Sequence, residues 1–321
     1  MHSKTRLCLA LTLAACTAGA WAQSYPSKPI RMIVPFPTGG GTDFLARLLA
    51  QRMSESWGQQ VVVENRPGAS MMIGSEIVAK APADGYTIIM SSINHTINPS
   101  LYQRIPYDTV RDFAPVTLVA TSPLVLVVHP SLPVRSVKEF IALARTAKGQ
   151  INYASSGSGG PLHLAGELFK TMAKIEMSHI PYKGSSPAEL DLIGGHVHAI
   201  FAGPVSSSPH IKTGRMRALG VTSPKRSAAF PELPTIAESG LPGYDAYTWW
   251  GVLAPANTPR DIVTKLNAEI ARIVALADIK PKLESQGAEP ATGTPEQFAR
   301  QIQGEIAKWA KVVKDANVKV E

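Results

Sequence analysis

The stretch Pro29-Ile30-Arg31-Met32-Ile33-Val34-Pro35-Phe36-Pro37-Thr38-Gly39-Gly40-Gly41-Thr42-Asp43-Phe44 decides the fold. Ile30, Met32, Ile33 and Val34 form a short apolar run bounded by prolines, which reads as a buried strand. Residues 37–43 are a loop of small residues. From residue 44 to 57 apolar side chains recur at 44, 45, 48, 49 and 53, the spacing of a helix. Working outward, residues 61–64 read as a second strand, 65–68 as a turn and 73–80 as a helix. Asp84-Gly85 is a turn before a third strand at 86–90. Strands alternating with helices predict a parallel sheet with right-handed crossovers.

The alternation then repeats. Residues 125–128 read as a strand and 137–147 as a helix, opened by Ser136 with Glu139 three residues on. A strand at 152–154 leads into Ser155-Ser156-Gly157-Ser158-Gly159-Gly160-Pro161 and a helix at 162–172. A strand at 178–180, a helix at 187–193 and a strand at 199–201 follow. The end of the chain differs. Residues 261–276 and 295–313 carry apolar stripes at helical spacing, suited to packing on the domain they belong to. No heptad array, short repeat or low-complexity linker occurs.

The N-terminus reads as an export signal. Lys4 and Arg6 precede an apolar run from 7 to 20, and Ala20-Trp21-Ala22 offers small residues at a cleavage site before Gln23. That run is too short for a membrane span. Leu13-Ala14-Ala15-Cys16 is an alternative, a lipoprotein signal leaving Cys16 lipidated. Both cysteines, Cys8 and Cys16, lie in the leader. The mature chain therefore has no disulfide, thiolate metal site or cysteine nucleophile, and it must stand on its core. About 300 residues suffice for that, usually as two domains.

The full chain carries +8 from 32 bases and 24 acids, and loss of Lys4 and Arg6 leaves +6. A basic protein attracts anions. The charge is spread, with no basic run or aromatic–basic stripe, so nucleic acid is not an expected partner.

Each half thus has a strand, a Gly/Ser/Thr loop and a helix. Ligands bind open parallel sheets at the carboxyl ends of the strands. Helix N-termini there offer unpaired N–H groups and partial positive charge. Two such loops suggest a cleft with an anion-binding lip on each side. An ordinary tight strand-to-helix turn would use the same residues.

Enzyme motifs fit less well. A dinucleotide fingerprint from Gly39 needs a small residue at 44, which is Phe, and no Gly-Lys-Ser/Thr occurs. A nucleophile elbow on Ser158 needs Gly at 156, which is Ser. His163, near Ser158, suits capping or ligand orientation. His196 and His198 would share one face of a strand, as in some zinc sites, without a third ligand nearby. Asp43 could cap backbone N–H groups or face the ligand. Trp249 and Trp250 suit core or hinge packing, with one ring free to border the cleft. No metal or cofactor is expected.

Longer stretches carry a resemblance. They include Tyr25-Pro26-Ser27-Lys28-Pro29-Ile30, Val34-Pro35-Phe36, Glu64-Asn65-Arg66-Pro67-Gly68-Ala69 and Asp84-Gly85-Tyr86-Thr87. Asn98-Pro99-Ser100-Leu101-Tyr102, Tyr153-Ala154-Ser155-Ser156-Gly157, His163-Leu164-Ala165-Gly166-Glu167-Leu168-Phe169, Pro181-Tyr182-Lys183-Gly184 and Gly240-Leu241-Pro242-Gly243-Tyr244 continue it. In order, they cover nearly the whole mature chain, which resembles the Bug (TctC-like) solute receptors of tripartite tricarboxylate transporters. The resemblance implies a two-lobe α/β Venus flytrap, each lobe a mainly parallel sheet flanked by helices. Residues 23–122 with 247–321 would form lobe one and 123–246 lobe two, after a signal peptide at 1–22. Two crossing strands would join them, with the C-terminal helices packed back on lobe one.

The resemblance also implies a small carboxylate clamped between two loops, partly through ordered waters. Phe36, Thr38, Gly39, Gly40, Gly41, Thr42 and Asp43 would line one lip. Ala154, Ser155, Ser156, Gly157, Ser158 and His163 would line the other, with Ser91, Ser92, Tyr182, Ala202 and Gly203 between them. The expected protein is a periplasmic monomer that is not an enzyme. It would deliver its ligand to a membrane permease. A sensor feeding a membrane kinase and an exported serine hydrolase are the alternatives.

Three departures from the family pattern stand out. Thr38 replaces a usual proline and adds a hydroxyl, and Ser70-Met71-Met72 replaces a Gly-rich stretch. Phe201-Ala202-Gly203 stands where many members have Phe-Asp-Asn. Without an aspartate to pair with an ammonium, amino acids are not the expected ligands.

Overall fold

The computed structural model describes residues 25–320. The expected leader, with its cleavage and lipidation signals, lies outside the described residues.

The decisive stretch folds as its pattern predicts. β1 (Ile30–Val34) is followed by α1 (Gly41–Trp57). Gly58 then ends the helix in the left-handed region, its N–H bonded to the Ser54 carbonyl. β2 (Val61–Asn65), α2 (Met72–Ala79) and β3 (Thr87–Ser92) complete the first alternation, and α3 (Asn94–Leu101) follows directly. β1 pairs in parallel with both β2 and β3.

β4 (Phe113–Pro123) then carries the chain to a second sheet. That sheet contains β5 (Val125–Val128), β6 (Asn152–Ser155), β7 (Ser178–Pro181), β8 (Ala199–Ala202) and β9 (Arg217–Val221). Its helices are α4 (Val137–Ala147), α5 (Pro161–Ala173), α6 (Ser185–Ile193) and α7 (Pro204–Lys212). Ser136 caps α4, accepting the Glu139 N–H. The chain returns through β10 (Tyr247–Pro255) to α8 (Arg260–Val274), α9 (Lys280–Glu284), β11 (Glu289–Pro290) and α10 (Pro295–Asp315). Thr294 and Gln297 form a reciprocal capping box at the start of α10.

Both sheets are mixed. The first runs β11-β4-β10-β3-β1-β2 and the second β7-β6-β8-β5-β9. The parallel pairings lie where strand–helix alternation predicts them. The antiparallel pairings come from β4, β10 and β11 in one sheet and from β5 in the other. β4 and β10 pair from Phe113↔Pro255 to Pro123↔Tyr247 and form the double crossing between sheets. Thr222, fully buried, stitches this crossing. Its backbone N–H reaches the Leu124 carbonyl, its Oγ1 accepts the Leu124 N–H, and its carbonyl accepts the Ala246 N–H.

One face of the first sheet packs on α1 and α8 through Ile30, Met32, Leu45, Leu49 and Ile270. The opposite core runs continuously into the second sheet, from Ile33, Trp249 and Trp309 to Tyr153 and Phe169. α10 therefore covers β4 of the first sheet and α3, and also reaches α5 beside the second sheet.

Candidate functional site

Parallel pairing places the carboxyl ends of β1, β2 and β3 side by side, and α1, α2 and α3 start there. β6, β7 and β8 do the same for α5, α6 and α7. Six helix N-termini thus gather at two sheet edges. Their first-turn N–H groups have no intrahelical acceptor and carry partial positive charge. Neither glycine-rich loop, 35–43 or 155–163, contains a Lys or Arg.

The first loop is held from beneath. Asp43, 4% exposed, accepts from the Gly39 N–H (3.0 Å), the Asn65 amide (2.8 Å) and Arg47 Nε (3.0 Å). Desolvation opposes its charge, but Arg47, Gly39 and Asn65 outweigh that and hold the carboxyl below its usual range. Asp43 therefore braces the loop, the capping alternative raised by its position, and its oxygens are occupied. Asn65 also donates to the Phe36 carbonyl (3.0 Å). Trp250 Nε1 donates to Thr42 Oγ1 (2.9 Å), and its ring lies 3.3 Å from where a Gly41 Cβ would be. Trp249 is buried, its Nε1 donating to Glu305 (2.6 Å). Gly39 adopts φ +89 with open space around it, while Thr38 and Gly40 are exposed.

The second loop rests on a buried polar layer. His163 Nδ1 accepts the Gly159 N–H (2.9 Å), and its ring stacks on His179 at 3.7 Å between centroids. Beneath it, Glu167 accepts from Tyr153 Oη (2.5 Å) and Lys170 Nζ (2.8 Å). Despite desolvation, His163, Lys170 and Tyr153 hold the Glu167 carboxyl down at about 2. Burial, then the neighbouring His163, lowers His179 to about 4. Ser155 Oγ meets His179 Nε2 (2.6 Å) and the Gly157 backbone (2.9 Å to O), so its hydroxyl is used within the loop. His163 is thus a loop anchor. Ser158 is exposed and makes no bond to it.

Gly159 has φ +75, and an added Cβ would lie 2.6 Å from Val320 and 2.7 Å from Leu101. The second loop therefore rests against α3 and the C-terminal segment, which belong with the first sheet.

Other expected site residues divide by position. Ser91 and Ser92 lie in the last turn-ward residues of β3 rather than after it. Ser91 Oγ is fully buried without a partner among the described residues. Ser92 Oγ donates to Asn94 Oδ1 (3.4 Å). Tyr182 turns its hydroxyl to Asp191 (2.5 Å), and burial and Asp191 raise it to about 12. Its backbone N–H donates to the Ser155 carbonyl (3.0 Å). Ala202, which ends β8, is buried, and Gly203 caps α7. Ala154 is buried in β6.

The expectation for His196 and His198 is corrected. They lie in a bend before β8, not in a strand. His196 faces Asp191 (3.3 Å), whereas His198 Nδ1 accepts the Asn152 N–H (2.9 Å), so they share no ligand position.

Ala69, Ser70 and Met71 occupy the left-handed region in succession, at φ 45, 49 and 70. For non-glycine residues this is strained. Asn98 holds the turn, donating to the Ser70 carbonyl (2.7 Å), and Asn94 donates to Ser70 Oγ (3.3 Å). Two hollows meet at Ser285. One of about 580 Å³ is bordered by Gly39, Phe44 and Gln286. The other, of about 360 Å³, is bordered by Pro204, Val205 and Gly287. Together they link the first loop to the start of α7.

Sequence reasoning missed Asn65, Asn94, Asn98, Glu167 and His179. The first four lie in stretches that look like ordinary turns or helices, and the partners of the three asparagines are distant in sequence. The Glu167, His163 spacing of four residues was the one local signal.

The sequence model described as "Tripartite tricarboxylate transporter family receptor" matches residues 45–318. The chain is 40% identical to Protein BugT of Bordetella pertussis, over 99% of both chains. Among solved structures it resembles Rpa4515 of R. palustris with adipate, at 42% identity and TM-score 0.77, covering 92% of this chain and 99% of that one. It also resembles MatC of Rhodopseudomonas palustris with bound malate, at 30% identity and TM-score 0.72, covering 90% of this chain and 100% of that one.

Proposed function

Because the chain belongs to the tripartite tricarboxylate transporter receptor family, we propose that it is a periplasmic receptor that clamps a small carboxylate between two lobes and presents it to a membrane permease. The observation that carries this reading is the convergence of two glycine-rich loops on helix N-termini, one at each sheet edge, without a basic side chain in either loop. Such a site recognises anions through N–H and hydroxyl donors that replace hydration water. The adipate and malate held by the two similar proteins are anions of this class.

Residues 23–122 with 247–321 act as one lobe and 123–246 as the other, hinged at the crossing that Thr222 stitches. In the first lobe the unpaired N–H groups of residues 40–43 face the ligand, with Thr38 adding a hydroxyl. In the second, residues 156–158 and the start of α5 do so, and Ser92 and Gly203 complete the wall. Closure follows from better contacts in the closed state. Recognition, not turnover, is the activity. A hydrolase would need His163 free to accept a proton from Ser158, and Nδ1 of His163 already accepts the Gly159 N–H.

Two charge insertions test this. Gly40 (φ −83) and Gly160 (φ −75) have ordinary backbone angles, and an added Cβ meets nothing closer than 3.7 Å at either. Gly40→Asp and Gly160→Asp therefore place a carboxylate in each loop without steric conflict. Calorimetric titration of ligand-stripped protein with succinate, adipate, citrate and benzoate should give a one-to-one isotherm with one of them. Both variants should abolish it. Loss in one variant alone would mean that a single lobe holds the anion.

A further inference from the structure

β8 leaves the second sheet as Ala202-Gly203-Pro204-Val205-Ser206. It runs parallel to β6, with Ala154 opposite Ile200, so its exit lies one strand spacing from the second glycine loop, about 5 Å. A Cβ at Gly203 would have one neighbour within 4 Å, the Ser206 hydroxyl at 3.8 Å. Gly203 thus opens a notch with Ser206 on its wall, and Ser206 is exposed. Pro204, beside the notch, packs against the segment that returns to the first sheet, since a Cβ at Gly287 would lie 2.9 Å from it.

Behind Ser206 sits Glu189 of α6, 4% exposed. Its Oε1 accepts the Ser206 hydroxyl at 2.6 Å, and no ion pair reaches it among the described residues. Burial raises its pKa, with Ser206 opposing. A hydroxyl that gives its hydrogen to a carboxylate becomes a stronger acceptor through its remaining lone pairs.

We propose that Ser206, held by Glu189, is a specificity subsite that accepts a hydrogen bond from a ligand hydroxyl, so that this receptor selects hydroxycarboxylates over their deoxy counterparts. The proposal rests on the carboxylate reading above. One strand spacing between the anion lip and the notch suits a hydroxyl one or two carbons from the carboxylate. An ammonium would bring three donors to the one acceptor that Ser206 offers.

The test compares affinities of the ligand-stripped protein for malate against succinate, lactate against propionate, and malate against aspartate. Wild type should prefer the hydroxy acid of at least one pair by about tenfold, the worth of one well-placed hydrogen bond. That ratio should fall toward one in Ser206→Ala and in Glu189→Gln. Ser206→Ala keeps the test decisive if the buried Glu189→Gln fails to fold. Equal binding of hydroxy and deoxy acids, or an unchanged ratio in Ser206→Ala, overturns the subsite while leaving the carboxylate reading intact. Tighter binding of aspartate than malate overturns the hydroxyl assignment. Failure of every acid to bind removes the carboxylate reading and this subsite with it.

Discussion

Asp43→Ala removes the common acceptor of three donors at the start of α1. The Gly39 and Asn65 bonds are part-buried and end on a carboxylate that is 6% exposed in its side chain. Bonds to a charged group contribute about 1.5–3 kcal/mol each. The Arg47 partner is 51% exposed, and such a pair contributes at most about 1 kcal/mol. The expected loss of stability is about 3–7 kcal/mol. At about 2–4 °C for each kcal/mol in a unit of this size, the unfolding midpoint should fall by roughly 6–28 °C. Binding should also weaken, because the N–H groups of the first loop lose their anchor. Loss of one charge-assisted bond to the ligand alone is about tenfold in Kd. Arg47→Ala separates the causes. It removes the ion pair and an exposed bond to Asn65 Oδ1 (2.9 Å) but keeps the Gly39 and Asn65 donations to Asp43, so it should cost about 1 kcal/mol and leave affinity near wild type. Scanning calorimetry and titration of both variants decide the matter. Equal effects in the two, or an Asp43→Ala protein with wild-type midpoint and affinity, would refute the brace.

Gly159→Ala puts a methyl group within 2.7 Å of Leu101 and Val320 at a φ of +75. It should wedge the second loop away from the first lobe and weaken binding more than it lowers the unfolding midpoint, measured on the same samples. Gly166→Ala brings a Cβ to 2.3 Å from the Tyr153 ring, overpacking that costs about 1–3 kcal/mol and should be visible in denaturant titration. Glu167 titrates near 2 in the folded protein against about 4.3 unfolded, so its stabilisation, about 3 kcal/mol, is fully present above about pH 5. It is lost as pH falls through 4 toward 2, and Glu167→Gln should flatten that acid limb of the stability curve. Ester substrates should show no turnover that depends on Ser158, as a Ser158→Ala comparison would reveal.

The parts of the fold legible in the sequence are those with local periodicity. β1 and α1 follow from one apolar run and one helical stripe, and α4 from its stripe and the Ser136 cap. α3 carries Asn94, His95, Thr96 and Asn98 with Pro99 inside, so no apolar stripe announces it. α7 likewise holds Pro204 and Pro209. The antiparallel pairings of β4 with β10 join residues more than a hundred positions apart, which no window can read. The glycine loops were legible because strand, loop and helix are contiguous. Their supports were not. The Tyr153 bond to Glu167 and the His179 and Asn65 bonds form only once separate elements meet. Ser155 and Tyr182 look like cleft donors in sequence, yet each spends its side-chain hydroxyl on a nearby partner, His179 and Asp191.

Whether two loops clamp a small carboxylate can be read from thermal unfolding. Refolded, ligand-stripped protein would be scanned against a panel of mono-, di- and tricarboxylates, amino acids and sugars. A ligand at a hundred times its Kd adds about 2.7 kcal/mol of stability. The midpoint should rise clearly with one class of carboxylate and stay unchanged with amino acids and sugars. A shift with a sugar or an amino acid and none with any non-amino carboxylate would contradict the clamp.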